Sequence, residues 1–184
     1  MTQEIEYAIN GELIDNKVLI KDGKGIDELQ KRGYGFKDDY YYLYLYEALY
    51  LMYINKLEVY KDGKEITFDQ LVGIGLKYDE NLWTKFLVYR DLRSRGYVAR
   101  EGFGFGVDFR VYARGEYGSK PAKYVVFGLN EGRKVPVSNV GELIDQISKM
   151  GKEPVIAVIE RRGEVIYYKI SKIRFDKLKK FTLS

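Results

Sequence analysis

The 184-residue chain has no cysteine, no histidine and only three prolines. Without cysteine there is no disulfide framework, no thiolate nucleophile and no Cys-built zinc site. The missing histidine removes the one side chain whose ordinary pKa lies near neutrality. With both types gone, no metal or other cofactor is expected. No run approaches the ~20 apolar residues that cross a bilayer, and MTQEIEYAIN lacks a basic start followed by an apolar stretch. A cytoplasmic protein with no membrane partner is expected. Few prolines, no cysteine and abundant Lys, Glu, Tyr and Ile suit a heat-adapted source.

What is present is a chain that is 46% hydrophobic and able to bury a core. The net charge of +4 conceals a split: residues 1–81 hold 10 Lys and Arg against 16 Asp and Glu, net −6, and the remainder holds 21 against 11, net +10. Opposite signs suggest a basic half that meets a polyanion and an acidic half that meets basic protein surface. An acidic α/β domain over 1–78 and a basic domain over 79–184 follow from this, in a mixed α+β fold with helices packed on a mixed sheet.

Residues 6–20, EYAINGELIDNKVLI, alternate around Asp15–Asn16 as two short strands. IDELQKRGYGF reads as a helix closed by Gly33. In YYLYLYEALYLMYIN a strand runs directly into a helix beginning near Glu47, and EVYKDGKEIT is a hairpin turned by Asp62–Gly63. Thr67 and Gln70 have capping-box spacing. A long helix is predicted from Asp79 to Gly96, then strands in YVARE, VDFRVYA and KYVVFGL, a helix capped by Ser138, and an apolar hairpin, PVIAVIERRGEVIYYKI. GFGFG at 102–106 lacks P-loop spacing and reads as a turn. The tyrosines of YYYLYLYEALYLMY interleave with Leu as core rather than as a base-stacking platform.

LVYRDLRSRGYVAREGFGFGVDFRVYARGE resembles the C-terminal domain of archaeal tRNA-splicing endonucleases, through DLRSRGY and FRVY at family-like spacing. That family also shows an HSKY segment, a Lys before an apolar strand, an acidic turn and a strand with paired tyrosines. The counterparts here are Pro121 to Tyr124, Lys152 to Ile159, and Gly163 to Tyr168. The resemblance implies cleavage of precursor tRNA at bulge-helix-bulge junctions without metal. The ribose 2′-hydroxyl attacks, leaving a 2′,3′-cyclic phosphate and a 5′-hydroxyl. Tyr, His and Lys serve as base, acid and charge stabiliser in such a reaction.

Carried over, the Tyr falls on Tyr112 and the His on Pro121. The Lys falls on Glu153, with Lys152 one position away. Proline can hand over no proton, and an ordinary Lys or Tyr titrates near ~10, so Lys120 or Tyr117 could stand in only if strongly perturbed. The resemblance therefore implies a non-catalytic structural subunit of a heterotetramer, two of each chain, whose catalytic paralogue cuts the RNA. Arg110, Arg114 and Lys123 are candidate RNA contacts. Glu160, Arg161, Arg162, Glu164 and Tyr167 are expected at a subunit interface, since in the family this turn enters a basic cleft of a neighbour and such strands pair edge to edge. KIRFDKLKKF is basic enough to track phosphate. Two rival readings are a stand-alone RNA-binding protein and a nuclease using other groups, with Mg²⁺ held by Asp108 or Glu101.

Overall fold

A computed structural model describes residues 5–132 and 134–175. Its first half is a six-stranded mixed sheet. Strands β1 (Ile9–Ile14) and β2 (Lys17–Ile20) pair antiparallel across Asp15, whose φ of 52° closes the turn. Helix α1 (Gly23–Lys31) starts at Asp22, whose carboxylate accepts from the Lys24 N–H at 3.2 Å, and Gly33 at φ 72° ends the turn that follows it. Strands β3 (Phe36–Lys37) and β4 (Tyr41–Tyr44) lead into α2 (Leu45–Tyr53). That helix begins two residues before Glu47, because the Glu47 carboxylate reaches back to the Tyr44 N–H at 2.9 Å.

Strands β5 (Leu57–Lys61) and β6 (Lys64–Ile66) form the expected hairpin, with Asp62 and Gly63 both left-handed at φ 50° and 77°. The sheet order is β3-β4-β2-β1-β5-β6, with β1 and β5 parallel. Helix α3 (Phe68–Gly75) carries the anticipated capping box: Gln70 N–H donates to the Thr67 hydroxyl at 3.2 Å and Thr67 N–H donates to the Gln70 side chain at 2.9 Å. Thr67→Ala removes one partner and should cost about 1 kcal/mol, read as a lower denaturant midpoint with an unchanged slope.

The second half is a five-stranded sheet of order β11-β10-β9-β8-β7. Its elements are α4 (Leu82–Ser94), β7 (Val98–Glu101), β8 (Asp108–Tyr112), β9 (Tyr124–Asn130), α5 (Val137–Lys149), β10 (Glu153–Ile159) and β11 (Val165–Lys169). Two starts differ from expectation. Asp79 lies outside α4, where its carboxylate accepts from Asn81 N–H at 2.9 Å and pairs with Lys85 at 2.6 Å, making a turn ahead of the helix. Ser138 is the second residue of α5, not its cap: Pro136, fixed in an extended conformation at φ −60° and ψ 132°, sets the entry.

Helix α4 joins the halves. It packs on α2 and on the second sheet, and the rings of Tyr46, Tyr89 and Phe109 meet there at centroid distances of 5.0 to 5.8 Å. One continuous hydrophobic cluster therefore runs from Ile5 and Leu29 through Leu45 and Phe86 to Val155 and Val165. Tyr41, Tyr42, Tyr46 and Tyr50 of the tyrosine-rich segment are buried, whereas Tyr40 and Tyr53 stand exposed. Burial pushes the Glu47 carboxyl above its ordinary range, against the pull of the N–H groups of Gly35 and Tyr44. Arg93 ties the halves through polar groups, donating to the carbonyls of Arg32 and Gly33 at 2.8 and 2.7 Å while its guanidinium lies 3.8 Å from the Tyr34 ring centroid. No helix among the described residues is long and apolar enough to cross a membrane.

Candidate active-site cleft and its surroundings

Strand β8 ends at Tyr112, and the chain returns to β9 through residues 113–123. This connection curls back, with Glu116 N–H donating to the Ala113 carbonyl and Lys120 N–H to the Glu116 carbonyl. The fold thereby brings Tyr112 and Pro121 to one open cleft of about 580 Å³, together with Tyr117, Lys120 and, from the first half, Gln30 and Lys31. The Tyr112 and Tyr117 rings meet edge to face at 5.0 Å and 90°. Lys120 pairs with Glu116 at 2.7 Å.

Of the two residues ahead of the last hairpin, Lys152 is the one directed at this loop: its ammonium donates to the Ala122 carbonyl at 2.7 Å, beside Pro121. Glu153 opens β10, donates its backbone N–H to the Lys123 carbonyl at 2.9 Å, and pairs its carboxylate with Lys169 of β11 at 3.3 Å. Neither Lys152 nor Glu153 lines the Tyr112–Pro121 cleft; both line a separate hollow beside α5 and β11.

A second cleft of about 460 Å³ adjoins the first, sharing Lys31 and Tyr117 with it, and lies between the two halves. Lys31, Arg32, Lys56 and Arg93 line it and no carboxylate does, although Arg32 is paired with Glu28 at 3.0 Å. Like charges gathered in a concave surface focus a positive potential.

The other expected site residues are dispersed. Arg110 is half-buried, its Nε donating to the Glu101 carbonyl at 2.8 Å, so it is committed within the sheet. Arg114 and Lys123 are exposed near the loop, with their charges 4.8 Å over Tyr97 and 5.3 Å over Tyr124. Glu160, Arg161, Arg162 and Glu164 make the turn between β10 and β11, closed by Glu160 N–H to the Glu164 carbonyl at 2.9 Å and by Gly163 at φ 81°. Tyr167 points inward: its hydroxyl donates to Asp91 at 2.7 Å, and burial and that bond raise its pKa far above the ordinary phenol range. The edge strand instead offers Ile166 and Tyr168 to solvent, 38% and 52% exposed.

Asp108 accepts from the N–H groups of Phe103 and Phe105 at 2.6 and 3.0 Å, which uses the amide donors of GFGFG internally and explains the turn. Glu101 accepts from the Tyr46 hydroxyl. Both carboxylates considered as Mg²⁺ ligands thus have structural employment. Residues 176–181 of the basic tail lie outside the described part. Within it, Lys172 pairs with Asp145 at 2.9 Å.

Two family models match in order along the chain: the tRNA intron endonuclease N-terminal domain over residues 9–72 and its catalytic C-terminal domain over 82–167. The chain is similar to the tRNA-splicing endonuclease of Thermococcus onnurineus (strain NA1), 31% identical over 177 residues that span 95% of this chain and 100% of the relative. It is similar as well to the tRNA-splicing endonucleases of Pyrococcus furiosus, 32% identical over 177 residues with the same shares covered, and of Methanococcus vannielii, 32% identical over 176 residues covering 95% and 99%. The chain therefore belongs to the tRNA intron endonuclease family.

Proposed function

We propose that this chain is the structural, non-catalytic subunit of a heteromeric tRNA-splicing endonuclease, assembled as two copies with two of a catalytic paralogue. The reaction the assembly performs leaves a 2′,3′-cyclic phosphate and a 5′-hydroxyl at bulge-helix-bulge junctions. The observation that carries this reading is Pro121 beside Tyr112 in the cleft, in a protein without any histidine. On this reading Tyr112 keeps the position of the family's base, while the position of its charge-stabilising Lys falls on Lys152 or Glu153, neither of which lines the cleft. What this cleft lacks is a histidine to protonate the departing 5′ oxygen. The chain's own part is then to complete the assembly and to hold RNA with its basic half.

The cationic cleft between the halves supports a heteromer, since it complements an acidic turn from a partner. The turn of this chain, with Arg161 and Arg162 between its two glutamates, is a poor match for such a cleft on a second copy of itself. The exposed edge of β11, with Ile166 and Tyr168, supports pairing across a subunit boundary.

The test is cleavage of a bulge-helix-bulge RNA by the purified chain, by a histidine-containing relative, and by their mixture. The expected result is no cutting by this chain alone and a stable complex that cuts. Metal-independent turnover by the lone chain would overturn the non-catalytic reading. Tight RNA binding without complex formation would favour a stand-alone binding protein.

A further inference from the structure

A third hollow, of about 310 Å³, opens on the face of the second sheet that carries α4, beyond the end of that helix. Its volume is near the lower end of ligand-sized pockets, roughly 300 Å³. The floor is apolar and buried, made by Val111, Val126 and Val155, which point to this face from three adjacent strands. Tyr97 and Tyr124, both half-buried, stand beside it. Tyr97 also lines the basic cleft between the halves, so the two hollows share a wall.

The rim is cationic. Arg95 is anchored by Asp91 at 2.7 Å and Lys169 pairs with Glu153 at 3.3 Å. Arg114 differs: among the described residues its one polar or charged contact is the face of Tyr97, at 4.8 Å, and no carboxylate lines the hollow. An apolar floor flanked by phenol rings fits a planar heterocycle, and an unpaired guanidinium at its mouth fits the phosphate joined to it.

We infer that this hollow binds one unstacked nucleotide of an RNA strand, with the base between Tyr97 and Tyr124 and its phosphate on Arg114. This rests on the reading of the chain as part of an RNA-processing assembly and adds a base site on a face separate from the Tyr112–Pro121 cleft. The missing carboxylates, in the half of the chain with net charge +10, favour RNA over an acidic protein segment that would lack apolar complementarity.

The probe is a single-stranded RNA hexamer carrying one 2-aminopurine, with 2-aminopurine riboside monophosphate as the free-nucleotide control. Each is titrated into the lone chain and into the reconstituted complex. Stacking should quench the hexamer's fluorescence. Tyr97→Leu should abolish the quench, and Arg114→Ala, at an exposed position where folding is not at stake, should weaken binding about tenfold and flatten the salt dependence by about one phosphate contact. Absence of quenching, or quenching that survives both variants, overturns the inference. So does a free monophosphate that binds as tightly as the hexamer, which makes this a small-molecule pocket. Quenching lost when the catalytic partner is added also overturns it, since the hollow is then a subunit interface. Failure to find any partner removes the heteromer reading while the lone-chain titration still reports on the hollow.

Discussion

Pro121→His should turn the isolated chain into a detectable nuclease. The cleft already holds Tyr112, and the Lys152 ammonium donates to the carbonyl of Ala122, the residue after Pro121, so on the non-catalytic reading proposed above an imidazole at position 121 would supply the acid. Position 121 is exposed and its proline carries no backbone donor to lose, so the change should fold. A positioned acid–base group is worth roughly 10²- to 10⁴-fold, and a gain in that range over the wild-type chain is expected in single-turnover cleavage of a bulge-helix-bulge RNA. Pro121→Ala should give none, which separates the imidazole from mere relief of a rigid ring. Adding Tyr112→Phe or Lys152→Ala to the histidine variant should remove most of the gain. A folded Pro121→His protein with no increase would show that the cleft is no longer in catalytic register. A gain that ignores Lys152 would return the charge-stabilising role to another residue.

Arg93→Met should produce a large loss of stability at the join between the two halves. Its guanidinium donates to two carbonyls of the turn after α1 and to the Tyr89 hydroxyl, and it stacks on Tyr34. Methionine keeps the packing of the stem and leaves those carbonyls without their donor, at a cost of roughly 3 kcal/mol. For a chain of this length that lowers Tm by about 6–12 °C, measurable by calorimetry. Arg93→Lys should recover little, because a single ammonium cannot serve both carbonyls and lie flat on a ring. Equal stability of the two variants and wild type would mean that solvent satisfies these carbonyls as well as Arg93 does.

The parts of the fold that were legible from sequence are those whose cause is local. Asp62–Gly63 dictates its hairpin, Thr67 with Gln70 dictates its helix start, and period-two alternation fixes most strands. The misreadings came from side chains with competing local partners. Asp79 spends its carboxylate on Asn81 and Lys85 in a turn ahead of α4 instead of opening the helix, and Pro136 sets the start of α5 ahead of Ser138. At the site, Tyr112 and Pro121 were legible because they flank one loop. Gln30 and Lys31 were not: they reach the cleft from a helix some eighty positions earlier, and nothing in the α1 pattern marks them. Motif spacing leaves Lys152 and Glu153 as alternatives, and both side chains line one hollow away from the Tyr112–Pro121 cleft. Alternation along β11 turns Tyr167 inward and leaves Ile166 and Tyr168 outside.

Helix α4 belongs to two neighbourhoods at once, with Phe86 and Tyr89 touching rings from the first half while Leu92 and its neighbours cover the second sheet. A truncated gene product beginning at residue 79 would carry that helix with one flank wet, and a product ending there would strand Tyr46 and Tyr50 at its surface. The two portions therefore depend on one another for a dry interior, and loss of either would leave rings of the other facing water.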